Sequence, residues 1–443
     1  MGFTITGGVT FSGGTVLATG SGGGAGGGGG GGGLPTRTTG NVLVVGAPYI
    51  DEGGITNSGA VYLYNTQSLG TAPTKLSGSD ISGMEASGRY GVSAGVTGTQ
   101  IVVGYPYHDT NTVTNAGELI VYEYANLSAT PTLLTTSDAA GGDMLGRSVL
   151  CNEDKIIAQV RDGGSGAVYV WDANNLSTAP TKLTRPDRST DGGSSVYEEW
   201  GQRMAINSTH LFIGAAGYDG GSNDTGDNRG GVWAYTLSDL SASPTKLVSA
   251  DVTASYTNTS ELFGKSIDAN DTYVVVGAPL DDSGGTNYGA AYVYDATDLS
   301  ATPTRLTTST GAASNRQFGS AVCLSDDYIW VGAPNQDSNV GALHRFAINS
   351  GSFSYDGQHV FTGGGTSSMW GKICMWDYES ERLFVGASRV PNQTFVGKLI
   401  TFKYNTGTSS WDRDEYVPSE IAGGDEFGFM TAVMGGPTMS NWF

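Results

Sequence analysis

A chain of 443 residues with 70 glycines sets 22 lysines and arginines against 42 aspartates and glutamates, a net charge of −20. Basic residues so few and so outnumbered argue against nucleic acid, whose backbone demands a cationic footprint, and against an anionic membrane surface. No run approaches the ~18 apolar residues of a membrane-spanning helix. An acidic surface suits a soluble Gly- and Thr-rich β-protein.

Residues 1–21 alternate weakly (Phe3, Ile5, Val9, Phe11, Val16) between Gly-Gly pairs. They read as short extended segments, too small to fold alone, and form an N-terminal anchoring segment. The opening MGFTITGGVTFSGG has no basic stretch and no unbroken apolar core, so it is not expected to act as a secretion signal. Met1-Gly2…Thr6 fits the short myristoylation pattern. Residues 22–40 are a tether that begins with the near-pure glycine run of 22–33, a composition with the behaviour of a flexible spacer.

From residue 41 a repeat sets in. A β-rich run (NVLVV, QIVV, HLFI, YVVV, YIWV, RLFV) leads into Gly46-Ala47-Pro48, Gly104-Tyr105-Pro106, Gly214-Ala215-Ala216, Gly277-Ala278-Pro279, Gly332-Ala333-Pro334 and Gly386-Ala387-Ser388. A degraded copy, Ile156-Ile157-Ala158-Gln159, makes seven. A polar loop follows each, then an alternating strand such as GAVYLY, GELIVY or GAAYVY, one face of which is buried. Five repeats continue into a segment of the type NLSTAPTKL, with Pro73, Pro131, Pro180, Pro244 and Pro303. Proline is tolerated where a strand has no outer neighbour, and Pro with Lys or Arg blunts an edge, so these segments belong at the outer edge of each unit. No helix is predicted.

A second element precedes each unit: Tyr90-Gly91, Leu145-Gly146, Trp200-Gly201, Phe263-Gly264, Phe318-Gly319, Trp370-Gly371 and Phe427-Gly428. It also occurs seven times, but displaced by one, because the first Gly-Ala-Pro has none before it and the last Phe-Gly has no Gly-Ala-Pro after it. The offset predicts a closed ring whose first unit is completed by a strand at about 425–434; closure removes exposed end strands. Phe-Gly, Gly-Ala-Pro, an Asp/Gly loop and GAVYVY together resemble the FG-GAP repeat of integrin α-subunit propellers and their bacterial relatives, over about residues 40–434. The resemblance implies an all-β, seven-bladed β-propeller spanning 41–443. Four short strands in each unit of ~50–60 residues fit such a blade independently.

In the resembled family some blades hold calcium in this loop. The counterparts here are YIDEGGITNSG, YHDTNTVTNAG, LDDSGGTNYG and NQDSNVG. Calcium wants six to eight oxygens from an Asp-x-Asp-x-Asp-Gly spacing, which none has. Asp281-Asp282 comes nearest, then Asp51-Glu52; Asp219, Asp224 and Asp227 lie in the longest loop. Calcium is therefore possible, but the preferred reading is that Asp, Asn and Gly form the turns between strands; no metal, cofactor or catalytic residue is assigned. The four histidines, His108, His210, His344 and His359, occupy unlike positions, and a Gly-x-Ser-x-Gly at a strand-to-helix turn is not expected, since no helix is predicted. The pairs Glu198-Glu199 and Asp326-Asp327 are the carboxylates from which a glycosidase could be built. Tyr49, Tyr107, Tyr218 and Tyr256 lie in loops, where aromatic rings serve binding. Cys151, Cys323 and Cys374 fall inside strands and are expected to be buried thiols. Of sequons such as Asn126, Asn175 and Asn258, the first two come from the Ser/Thr-rich repeat itself.

The opening GFTITGGVTFSGG resembles the start of small virion proteins of marine cyanophages and related tailed phages. That resemblance implies a non-catalytic virion structural protein, assembled in the host cytoplasm and released by lysis, with a propeller displayed as decoration, fibre or adhesin. Its partners would be other virion proteins through residues 1–33, further copies of itself, and a host-surface glycan or protein through the propeller loops. The alternatives are an extracellular or cell-surface adhesin of integrin-like type and, more remotely, a carbohydrate-active enzyme.

Overall fold

The computed structural model describes residues 42–432 except 66–67, 79–80, 82–83, 111–112, 165, 187–199, 219–227, 250–260, 283–284, 309–314, 361–372, 378–381, 388–397, 409 and 417–429. Seven four-stranded antiparallel sheets follow one another along the chain. Blade 1 consists of Met430–Ala432, Val42–Ala47, Ala60–Asn65 and Thr74–Ser77, from inner to outer strand. Blade 2 is Ala94–Val96, Gln100–Tyr105, Glu118–Glu123 and Thr132–Leu134; blade 3 is Val149–Cys151, Lys155–Val160, Ala167–Asp172 and Thr181–Leu183. Blade 4 is Arg203–Ile206, His210–Ala215, Gly231–Thr236 and Thr245–Leu247; blade 5 is Ser266–Ala269, Tyr273–Ala278, Ala290–Asp295 and Thr304–Leu306. Blade 6 is Ala321–Leu324, Tyr328–Ala333, Ala342–Asn349 and Ser352–Val360; blade 7 is Ile373–Asp377, Arg382–Ala387, Lys398–Asn405 and Ser410–Tyr416.

The ring closes as the offset of the two motifs predicts. Val44, Val45 and Gly46 pair antiparallel with Ala432, Thr431 and Met430. The outer edge also stands as expected: Pro73, Pro131, Pro180, Pro244 and Pro303 each come immediately before the outer strand rather than within it. Blades 6 and 7, which lack that segment, have the longest outer strands. The expectation of no helix needs one correction. The loop Gln336–Asn339 winds into a single α-turn, and 3-10 turns occur at Tyr124–Asn126 and Asp162–Gly164.

The repeated motifs act at the junctions between blades. At four junctions the residue before the motif glycine bridges in parallel to the glycine just ahead of the preceding blade's third strand: Tyr90 to Gly59, Leu145 to Gly117, Phe263 to Gly230, Phe318 to Gly289. The ring or side chain is buried there, and Phe263 packs edge-on against Tyr292 and Tyr294 of its own blade. The glycine that follows turns at positive φ (82° at Gly91, 95° at Gly319), where a Cβ is penalised. Its N–H donates to the Gly-Ala-Pro glycine of its own blade, as Gly264 does to Gly277 and Gly319 to Gly332. Its carbonyl lies over the Gly-Ala-Pro glycine of the blade before. A Cβ on Gly277 would stand 2.0 Å from the Gly319 oxygen, and one on Gly104 2.1 Å from the Gly146 oxygen. Ser93 and Ser266 donate their hydroxyls to those same two oxygens.

Blade 3 departs from this. Gln159 stands where the other described blades have glycine, its side chain buried against Gly201 of the next blade. The inner strands of blades 3 and 4 approach each other less closely than those of blades 4 and 5, and a cleft of ≈ 550 Å³ opens between their turns. Cys151, Cys323 and Cys374 are buried free thiols, as expected.

Removing residues 430–443 takes away the inner strand of blade 1 and leaves Val42–Ala47 as an open edge. The melting temperature by calorimetry is expected to fall by about 10 °C or more; unaltered melting would mean that the ring does not depend on this closure.

Candidate binding face and its polar nodes

Antiparallel blades place every connection on one of two faces. The links between second and third strands, and those between an outer strand and the next inner strand, open on one face, here the loop face. The remaining links open on the opposite, turn face. Loop-face connections include the longest in the chain, 184–202 and 248–265, whereas no turn-face connection exceeds eight residues, as in 173–180. Val42 begins the second strand of blade 1, so the chain enters the ring on the turn face.

On the loop face the Asp-containing loops are closed by their own backbone. The carboxylates of Asp51, Asp109 and Asp282 accept the N–H of Asn57, Asn115 and Asn287. Those asparagines sit in the left-handed region, at φ 50°, 50° and 49°, a conformation that Asn tolerates well. Their carbonyls then receive N–H groups from the next blade: Arg89 onto Asn57, Met144 onto Asn115, Gln317 onto Asn287. The turn-forming role read from the sequence is what these acids perform.

Deeper in the blade a second acid is used differently. Asp281 is 1% exposed; its carboxylate accepts the Tyr292 hydroxyl at 2.5 Å and pairs with Arg305 of the outer strand at 2.9 Å. The third-strand and outer-strand places recur as a pair in blades 1, 3, 4 and 6, and the loop place in blades 4 and 6. Blade 4 has Tyr218, Trp233 and Lys246, with the ammonium 2.6 Å from the Tyr218 hydroxyl and 5.0 Å from the centre of the Trp233 ring. Blade 6 has Gln336, His344 and Gln358, all joined through the Gln336 amide. In blade 1 Lys75 pairs with Glu52 at 2.5 Å. In blade 3 Lys182 reaches Asp138 and Asp162 at 2.8 and 3.3 Å. There the Lys182 and Tyr169 hydrogen bonds hold the Asp138 carboxyl below its ordinary range, while burial and then Asp138 push the Tyr169 hydroxyl up to about 12. Among the described residues no three of His, Cys, Asp and Glu converge as a metal would need, and Asp281 is committed to an arginine. Asp219, Asp224 and Asp227 lie outside the described residues.

The loop tyrosines divide. Tyr49 and Tyr107 are half-buried and flank the Arg89 guanidinium, whose carbon is 5.0 and 4.8 Å from their ring centres. Tyr218 is not an exposed loop aromatic as the sequence suggested: it is 5% exposed, because Arg185 and Lys246 cover its ring at 4.7 and 3.9 Å. Tyr256, Glu198 and Glu199 lie outside the described residues. Asp326 and Asp327 occupy a tight turn on the opposite face, where burial and then Asp327 raise the Asp326 carboxyl.

The histidines are scattered as expected. Burial lowers His210. Burial, then Arg316, takes His344 down to about 4, and burial, then Arg345, does the same for His359. Sequence reading missed Arg89 and Arg345. The latter guanidinium sits among Tyr328, Trp330 and Trp411 at 5.1–5.6 Å. No local motif signals either: Arg89 lies between loop rings of blades 1 and 2, and Arg345 between Tyr328 and Trp330 of its own blade and Trp411 of the next. The turn-face cleft is lined by Asn152, Glu153, Asp154, Lys155, Asp172 and Asn174 among others. Its Asn152 and Asp172 carboxyl or amide oxygens already accept backbone N–H groups of the turns.

Asp281→Ala leaves Arg305 and the Tyr292 hydroxyl without their buried partner. Denaturant unfolding is expected to show a loss of about 3 kcal/mol, with no shift of the wild-type transition on adding calcium or a chelator; a calcium-dependent rise in wild-type stability would contradict this use of the loop.

Residues 248–294, which contain Phe263-Gly264 and Gly277-Ala278-Pro279, match the FG-GAP repeat family. No curated protein sequence matches the chain. Among solved structures, a hypothetical selenium-binding protein from Sulfolobus tokodaii is 8% identical over 84% of this chain and 90% of that one, at a TM-score of 0.50. The periplasmic gluconolactonase of Pseudomonas aeruginosa is 12% identical over 86% and 97%, at 0.48. Hsv2 of Kluyveromyces lactis is 11% identical over 85% and 94%, at 0.44. At such identities the likeness is one of fold. The chain is a seven-bladed β-propeller in which residues 248–294 match the FG-GAP repeat.

Proposed function

We propose that this chain is a non-catalytic binding module, displayed on a phage particle through residues 1–33, with its loop face turned outward to a host-surface glycan or protein. The observation that carries this reading is directional. The chain enters the ring on the turn face, and the inner strand Met430–Ala432 runs back toward that same face, while the long connections open on the other. An entry point on one side and the long connections on the other suit a disc that is held from behind and reads with its front. A rigid scaffold that presents loops is the common arrangement for recognition. The resemblance of residues 1–14 to virion proteins supplies the setting, and several copies on one particle would strengthen a weak contact by avidity.

The loop acids support a binding role over a catalytic one, because those of blades 1, 2, 3 and 5 are engaged in turns or ion pairs. Fractionation of a producing culture on a density gradient, followed with an antibody to the propeller, tests the reading. The protein is expected in the particle band and is expected to leave it when residues 1–33 are deleted. Its presence in cell envelopes or medium without particles would overturn the phage setting; retention of the deleted form on particles would overturn the anchoring role.

A further inference from the structure

Blade 2 solves the polar node in a way that the other described blades do not. In blades 1, 3, 4 and 5 the outer strand supplies a permanent cation, Lys75, Lys182, Lys246 or Arg305. The residue in the same register of blade 2 is Leu133, 49% exposed, opposite Ile120. Blade 2 also carries an acid where the others carry none. The first residue of the third strand is Ala60, Ala167, Gly231, Ala290 or Ala342 in blades 1, 3, 4, 5 and 6, and Glu118 in blade 2. The Glu118 side chain is 4% exposed.

The group that meets it is His108. Its Nδ1 is 3.0 Å from a Glu118 oxygen and its Nε2 is 3.6 Å from Glu85, which comes from the link between blades 1 and 2. The imidazole is 12% exposed and stacks on Tyr105 at 4.8 Å. The Tyr105 hydroxyl accepts the Glu85 N–H, and the Glu85 carboxylate accepts the Asp109 N–H. The groups around the ring are thus Glu118 from the third strand, Tyr105 from the second, Glu85 from the link and Asp109 beside it. Arg89, four residues after Glu85, is held between Tyr49 and Tyr107.

We infer that His108, Glu118 and Glu85 form a pH-sensitive latch that fastens the loop 107–117 and the link 84–93 to each other, beside the Tyr49–Arg89–Tyr107 cluster. With the imidazole protonated, one cation faces two carboxylates, one of them buried. When it loses the proton the buried Glu118 carboxylate faces a neutral ring, a costlier state. The latch therefore holds at low pH and loosens as pH rises. The other three histidines face no such pair and are lowered by burial, so the step belongs to His108. This inference does not rest on the phage setting.

Hydrogen exchange of the full chain, corrected for intrinsic rates, tests it in segments 84–93 and 107–117 at about pH 5.5 and about pH 8. Wild type is expected to exchange about ten-fold faster at the higher pH, as the loss of a partly buried ion pair would give. Glu118→Ala, which installs the residue that four other blades carry, is expected to abolish the difference, as is His108→Gln. No pH difference in wild type, or the same difference in either variant, would overturn the latch.

Discussion

At the blade junctions a backbone carbonyl of one blade lies where a side chain of its neighbour would begin, and the rest of the ring follows from that approach. The oxygens of Gly146 and Gly319 stand about where a Cβ of Gly104 and of Gly277 would be. Only glycine permits that distance, and only a residue free to take positive φ lets the second glycine turn its carbonyl across the junction while its N–H stays within its own blade. The residue before that second glycine then has a fixed place, with its backbone on the preceding blade and its side chain in the core. The two halves of the repeat are therefore one contact split over two blades. That is why their offset along the sequence implies a ring: a Gly-Ala-Pro with no Phe-Gly before it needs one brought from the other end of the chain.

Polar groups on the loop face follow a second, weaker rule. An acid, amide or hydroxyl at the head of the loop is tied to the third strand and to a side chain on the outer strand, as in Asp281–Tyr292–Arg305. Buried charges need such partners, and the pairing stiffens the loop bases from which the longer connections spring. Blade 2 keeps the node but exchanges its members, with His108 and Glu118 in place of an outer-strand cation. Blade 3 keeps the cation but loses the junction glycine to Gln159, and the adjoining inner strands stand further apart.

The fold was legible because its signals are local and repeated. The strands, the prolines before the outer strand, the left-handed Asn of the loops and the seven displaced motifs can each be found within a dozen residues. The site was less legible because its contacts join residues that only register brings together. Nothing beside Tyr218 in the sequence announces that Arg185 and Lys246 will cover it. The pairing of Glu118 with His108 becomes visible only when the third strands are aligned and one glutamate stands where blades 1, 3, 4, 5 and 6 have alanine or glycine. The single α-turn at Gln336–Asn339 is a short loop that winds once, too brief for any periodicity to mark.

The glycine approach at the junctions is tested most directly by urea unfolding of Gly104→Ala and Gly277→Ala beside Gly70→Ala, a glycine with open space around its Cβ position. The first two are expected to lose about 3 kcal/mol, since backbone rather than a movable side chain must give way, and Gly70→Ala is expected to be within about 0.5 kcal/mol of wild type. Equal, small effects at all three positions would contradict the account.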